Sequence, residues 1–299
     1  MRNHPMPSAL APIIVAGLVA GCGGDSGDGP GEPAPIVFAH GCPPPPFGSA
    51  DDAGFWTGDT QQQPGLVDFL ADRGYADDQL NVFVYPAETC PPNRDYAAAL
   101  ADYVNGVLDA SGRSRVDLVG YSMGVVASRI FLRQGGDALV EDFVSISGAN
   151  HGSILAEMIG EAGQAEVGFP AYQGALEAAP AYACEGESTD ADVQFFLNGC
   201  LTEDGRTVEE DETPTDIDEG GHIRYLAIWN SADDLVVPPQ SSCLNQAFKN
   251  DCSDPVNVEV NLPALNEVKP GSGLVSAHVE VQFSAEVWQA VYDFVAETR

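Results

Sequence analysis

The chain has 299 residues, enough for one large domain or two small ones. Its 44% hydrophobic and 8% aromatic content permits a sizeable core and excludes general disorder. Against 12 Lys+Arg stand 45 Asp+Glu, for a net charge of -33; a field of that sign repels nucleic acid phosphates and anionic membrane surfaces, so no nucleic acid partner is expected.

The start of the chain reads as an export signal. Arg2 and His4 precede an apolar run from Leu10 to Ala20, which is shorter than the ~20 residues that span a bilayer. The run ends in Leu18-Val19-Ala20-Gly21-Cys22, which resembles a bacterial lipobox, where the cysteine is lipidated and becomes the mature N-terminus. Residues 1–21 are therefore expected to be a lipoprotein signal peptide and Cys22 the lipidation site. Residues 22–34, rich in Gly, Asp and Pro, bury nothing and suit a flexible tether. The expected product is an exported, membrane-anchored lipoprotein whose folded domain covers 35–299.

From Pro35 onward, strands alternate with helices. Ile36–Ala39 is a short apolar run stopped by His40-Gly41, and Gln62 to Arg73 places Leu66, Phe69 and Leu70 at helical spacing before Gly74. Leu80 to Tyr85 is β-branched and aromatic. Arg94 to Ala110 carries Tyr96, Leu100, Tyr103, Val104 and Val107 at helical spacing. Val116–Val119 is a buried strand and Ser122 to Gln134 a helix. Phe143–Ile146, Ile223–Trp229 and Val256–Val260 supply later strands, and a last helix runs from Ala285 to Ala296. This rhythm predicts a mostly parallel sheet covered by helices on both faces. It breaks between Gly152 and Gly221, where short apolar clusters and the acidic patch Glu209–Glu212 suggest an insertion over the sheet, placed as a lid or cap.

Seven cysteines occur, and setting Cys22 aside leaves six, an even number that implies disulfides in an exported protein. Six cysteines permit fifteen pairings. Sequence proximity favours Cys184–Cys200 and Cys243–Cys252, which leaves Cys42–Cys90. There is no Cys-x-x-Cys pair, so a zinc or redox centre has little support and no metal site is expected.

The sharpest signal is Gly120-Tyr121-Ser122-Met123-Gly124, directly after a strand and directly before a helix. In a G-x-S-x-G turn the glycines allow close approach of strand and helix, and the serine hydroxyl is pushed into the open at the carboxyl end of the sheet. Ser122 is thus the candidate nucleophile. A serine needs a base, and the chain order expected for this turn is serine, acid, histidine. His40 lies upstream, His151 follows too closely on a strand, and His222 precedes any suitable acid. His278 remains, between the last strand and the final helix. The acid belongs after Ile223–Trp229, where Asp233 and Asp234 are adjacent and one of them can face the histidine. Asp234 is the choice, with Asp233 the alternative. For the oxyanion, the N–H of Met123 follows the nucleophile, and the Cys42 N–H is the expected second donor from the loop after the first strand. Ala149-Asn150-His151-Gly152 either shapes the rim of the site or is a plain strand-end turn.

Taken together, His40-Gly41, Val116 to Gly124 and Ser147 to Gly152 resemble the class 2 bacterial lipases. So do Phe196-Leu197-Asn198, Asp211-Glu212-Thr213-Pro214 and Asp233 to Pro239, in the same order, from Pro35 to the C-terminus. The resemblance implies an α/β-hydrolase fold and a cofactor-free carboxylic ester hydrolase acting on esters of hydrophobic acyl chains; the protein is expected to be a monomer. The surroundings of the nucleophile are also similar to extracellular polyhydroxyalkanoate depolymerases, which keeps polyesters open as substrates. An acyltransferase or thioesterase fits the same scaffold, and an inactive surface-binding protein is the reading from another class. The chain departs from the lipase pattern at Tyr121, where many relatives have histidine, and at the Cys42–Pro46 loop.

Overall fold

A computed structural model describes residues 33–42, 65–85, 90–156, 174, 177–178, 192–198, 200–201, 207–208, 222–244, 252–267 and 275–297. Along the chain these form β1 (Ile36–Ala39), α1 (Leu66–Ala71), β2 (Leu80–Phe83), α2 (Asn93–Ser111), β3 (Val116–Tyr121) and α3 (Met123–Arg133). There follow β4 (Val140–Ile146), α4 (Asp192–Asn198), the short pair β5 (Cys200–Leu201) and β6 (Thr207–Val208), β7 (Arg224–Asn230) and β8 (Asn257–Val260). The chain closes with α5 (Ala277–Glu280) and α6 (Ala285–Ala296).

Six strands make one sheet in the order β2-β1-β3-β4-β7-β8, and every neighbouring pair is parallel. A strand in the middle of such a sheet is buried on both faces, and so reads as a continuous apolar run without alternation. All four residues of β1 are buried in this way. Successive side chains still point to opposite faces. Val37 and Ala39 join Leu118, Phe143, Leu100, Val104 and Ile130 in a core beneath α2 and α3. Ile36 and Phe38 join Val119, Val144, Leu70, Val287 and Val291 in the core beneath α1 and α6. The sheet is therefore covered by helices on both faces, and the ends of its strands are left for chemistry.

The last helix has the bounds expected from its spacing. β4 begins at Val140, earlier than the apolar run Phe143–Ile146 suggested, because Glu141 and Asp142 interrupt the run without interrupting the strand. Within the Gly152–Gly221 stretch, α4 and the β5–β6 pair are elements the sequence pattern did not signal. The cystines Cys42–Cys90 and Cys243–Cys252 are both present. Cys184 lies outside the described residues, and so therefore does the Cys184–Cys200 pairing. Cys22, the leader and the tether through residue 32 lie outside them too. Among the described residues no helix is long and apolar enough to cross a membrane.

Candidate active site

Ser122 occupies the sharp turn between β3 and α3, with φ 53° and ψ -122°. A side-chain-bearing residue held there costs on the order of 1–3 kcal/mol and persists only when its surroundings over-determine it. They do so here. The Ser122 N–H donates to the Ile146 carbonyl at 3.0 Å, locking the turn to β4. A Cβ at Gly124 would run into the carbonyl oxygens of Ala39 and His40, so only glycine lets α3 start this close to β1. The strain buys exposure of the hydroxyl at the carboxyl edge of the sheet.

His278 reaches that hydroxyl from α5. Its Nε2 lies 2.9 Å from Ser122 Oγ, and its Nδ1 lies 2.8 Å from Asp233 Oδ2. A carboxylate accepts, so Nδ1 carries the proton and Nε2 presents its lone pair to the serine O–H. Burial alone would raise the Asp233 carboxyl. The His278 charge, its hydrogen bond, and the N–H groups of Val236 and Leu235 outweigh that and bring it below the usual carboxylate value. Both N–H groups donate to Asp233 Oδ1 at 2.9 Å.

The acid that meets the imidazole is thus Asp233, and the choice of Asp234 is corrected. The reason is the turn after β7. The Asp233 N–H donates to the Asn230 carbonyl at 2.9 Å, and the Ala232 N–H donates to Asn230 Oδ1 at 3.1 Å. This tight bend turns Asp233 into the protein and leaves Asp234 facing out. Asp234 is nonetheless engaged: its carboxylate accepts from Ser276 Oγ, and from the N–H groups of Ala277 and His278 at 3.1 Å each. Spacing to a following Leu-Val pair, whose N–H groups return to the first aspartate, was the available signal.

The two oxyanion candidates flank the serine. Met123 is the first residue of α3, where a helix leaves its N–H without an intrahelical acceptor. On the other side, a Cβ at Gly41 would lie 2.8 Å from Ser122 Cβ, so the loop after β1 passes over the serine on a glycine. His40 governs this loop, a role not read from the sequence. Its Nε2 receives the Tyr85 N–H at 3.1 Å, which leaves Nδ1 as the protonated nitrogen that donates to the Gly41 carbonyl at 2.7 Å. In a planar trans peptide the Gly41 carbonyl and the Cys42 N–H point in opposite directions. Fixing the one therefore aims the other. Burial pulls the His40 pKa down, against the opposing effect of the Gly41 hydrogen bond, and so keeps the ring neutral. The Tyr96 hydroxyl donates to the His40 carbonyl at 2.9 Å, and the Cys42–Cys90 bridge holds the far side of the loop.

Behind the serine, Ala149, Asn150 and His151 are buried and belong to a network rather than a bare turn. Asn150 Nδ2 donates to Ser145 Oγ and to the Ser242 carbonyl, and Arg129 of α3 donates to the Asn150 carbonyl at 2.6 Å and to Asn198 Oδ1 of α4 at 2.9 Å. The network fastens α4, within the insertion, to the helix that follows the nucleophile. His222 sits elsewhere, with Nε2 2.9 Å from the Asp137 carbonyl. Among the described residues no group of three His, Cys, Asp or Glu side chains is placed to hold a metal ion.

No protein-family model matches the sequence, and no curated protein matches it. Solved structures do. Lipase B of Aspergillus fumigatus aligns with a TM-score of 0.50 and 16% identity, over 88% of this chain and 52% of that one. The fold is that of the α/β-hydrolases. Within this fold a serine at the strand-to-helix turn and a histidine after the last strand meet at the carboxyl edge, as Ser122 and His278 do here. Bacillus licheniformis lipase BlEst2 in its mature form is 26% identical over 44% of this chain, with a TM-score of 0.34, and the match spans 46% of that lipase's length. A carboxylesterase structure from Nitrososphaera gargenis matches at 14% identity and a TM-score of 0.45, over 89% of this chain and 91% of that one. The α/β-hydrolase fold carries many chemistries, so the activity has to be argued from the site itself.

Proposed function

We propose that this protein is a serine carboxylic ester hydrolase of the class 2 bacterial lipase type, working through an acyl-enzyme on Ser122. The observation that carries the reading is the continuous relay from Ser122 Oγ through His278 to Asp233, with spacings of 2.9 and 2.8 Å. In the proposed cycle Ser122 Oγ attacks the ester carbonyl carbon while His278 Nε2 takes the hydroxyl proton. Asp233 stabilises the imidazolium, and the N–H groups of Met123 and Cys42 receive the oxyanion. The tetrahedral intermediate collapses, the alcohol leaves with the proton from His278, and water releases the acid by the same steps in reverse order.

Esters with hydrophobic acyl chains suit the surroundings. The exposed large hydrophobic residues among the described ones are Ile154, Leu265 and Val275. They lie on the loops after β4 and β8 and just before α5, the same sheet edge as Ser122. The two cystines accord with an oxidising compartment and so with export. Lipidation at Cys22 is part of the proposal, and mass spectrometry of the mature protein finding an unmodified N-terminus elsewhere would remove it. The function is tested by hydrolysis of p-nitrophenyl esters from short to long acyl chains, with wild type beside Ser122→Ala. The expected outcome is activity that disappears in the variant, with the length profile separating esterase from lipase. Equal inactivity of both proteins on every ester, triglyceride emulsion and polyester film would move the binding-protein reading ahead.

A further inference from the structure

His278 sits on α5, a helix of four residues. A helix that short has no stability of its own. The position of the imidazole must therefore be imposed from outside, and the main chain of His278 is held on both sides by side chains. Its N–H is shared between Asp234 Oδ1 at 3.1 Å and the N-cap Ser276 Oγ at 3.2 Å, and the Asp234 carboxylate also takes the Ala277 N–H and the Ser276 hydroxyl, so it holds the cap as well. Its carbonyl accepts the Tyr121 hydroxyl at 3.1 Å, while the Tyr121 ring lies 5.1 Å from the imidazole, centroid to centroid. Tyr121 is buried, and its own hydroxyl is engaged by the Gln282 side chain. Burial first, then the Asp233 charge, pushes that phenol well above its usual value, so it stays a hydrogen-bond donor.

We propose that Asp234 and Tyr121 are positioning residues that clamp the main chain of His278 and so set the distance between the base and the nucleophile. The inference rests on the serine hydrolase reading above. Tyr121 is the direct neighbour of Ser122 and ends β3, so one residue ties the carbonyl of the base to the strand that carries the nucleophile. Asp234 is the direct neighbour of Asp233, so the two adjacent carboxylates grip one histidine, one by the ring and one by the backbone. This accounts for the paired aspartates after β7 and for tyrosine before the serine.

The test uses the full chain with Asp234→Ala, Asp234→Asn, Tyr121→Phe and Asp233→Asn, and the double variant Asp234→Ala/Asp233→Asn. The readouts are kcat and KM on a p-nitrophenyl ester, the rate of Ser122 phosphorylation by diethyl p-nitrophenyl phosphate, and the melting temperature. Misplacement of a catalytic group by about 1 Å costs about 100-fold, so Asp234→Ala is expected to lower kcat and the phosphorylation rate by about 10- to 100-fold with KM little changed. Asp234→Asn keeps an acceptor for the His278 N–H and should recover most of that loss. Tyr121→Phe deletes one neutral hydrogen bond and should cost about 3- to 10-fold. In the double variant the losses should be less than multiplicative, because both residues act through one imidazole. A purely structural role would instead lower the melting temperature of Asp234→Ala while leaving kcat of the folded fraction intact, and would give multiplicative losses; either result overturns the clamp. If Asp234→Ala does not fold, Asp234→Asn at about 10% of wild-type kcat or below, or Tyr121→Phe with unchanged kcat, overturns it. Wild type that neither hydrolyses esters nor is phosphorylated removes the hydrolase reading and the clamp with it, whereas active wild type with unaffected variants removes the clamp alone.

Discussion

Two aspartates lie buried at opposite ends of the same sheet, and their environments push them in opposite directions. Asp233, at the carboxyl end, is 6% exposed; Asp117, at the amino end of β3, is 1% exposed. Burial would raise both. At Asp233 the imidazole and two backbone N–H groups overcome that cost, and the carboxyl falls below its usual range. At Asp117 burial is reinforced by the neighbouring Asp142 and Glu141 carboxylates, and the Arg224 charge opposes it too weakly, so the carboxyl rises well above its usual range. Arg224 is committed elsewhere: it meets both oxygens of the fully buried Asp142 at 2.8 Å. Depth therefore does not decide whether a buried acid is charged. Partners do, and the end of the sheet where donors converge on a carboxylate is the end built for chemistry.

The same substitution applied at each end should separate the two. Asp233→Asn is expected to lower kcat for ester hydrolysis by about 10⁴-fold, because the amide no longer holds the required tautomer of His278, while the fold survives. Steady-state kinetics beside circular dichroism measures it, and a loss below about tenfold would mean that Asp233 is not the acid. Asp117→Asn should leave kcat unchanged and stabilise the protein near neutral pH by about 1 kcal/mol, read from denaturant unfolding. The signs of the pH dependences also differ. Asp117, raised in the folded state, contributes stability that is present below its unfolded value and lost as pH rises through the folded one. Asp233, lowered in the folded state, contributes stability that is present above its unfolded value and lost as pH falls through the folded one. Wild type should therefore gain stability relative to Asp117→Asn as the pH falls toward 4, and a constant difference between the two across pH 4–8 would mean that the Asp117 carboxyl is not raised.

The fold was legible where the chain obeys one rule at a time. Ile36–Ala39 is an unbroken apolar run, and Val116–Val119 is apolar but for Asp117, because parallel strands are buried on both faces; Val287, Val291 and Val295 mark the inner side of α6. Ser122 was legible because its turn demands glycines at fixed offsets, and His278 because chain order leaves no other histidine in place. The choice between Asp233 and Asp234 was not legible. Both are acids at the end of the same strand, and the decision rests on the bend that Asn230 imposes, a three-dimensional fact without a composition signal. The parts of His40 and Tyr121 were hidden for a related reason. Each acts through a backbone carbonyl, of Gly41 and of His278, and any residue type can supply a carbonyl.

If Ser122 carries the acyl group, the acyl-enzyme can be trapped. Wild type is mixed with a p-nitrophenyl ester, quenched with acid within milliseconds to seconds, digested and analysed by mass spectrometry. An added acyl mass is expected on the peptide containing Ser122, with none on the Ser122→Ala protein. Ester turnover with no acylated peptide, or with the acyl group on another residue, would contradict it.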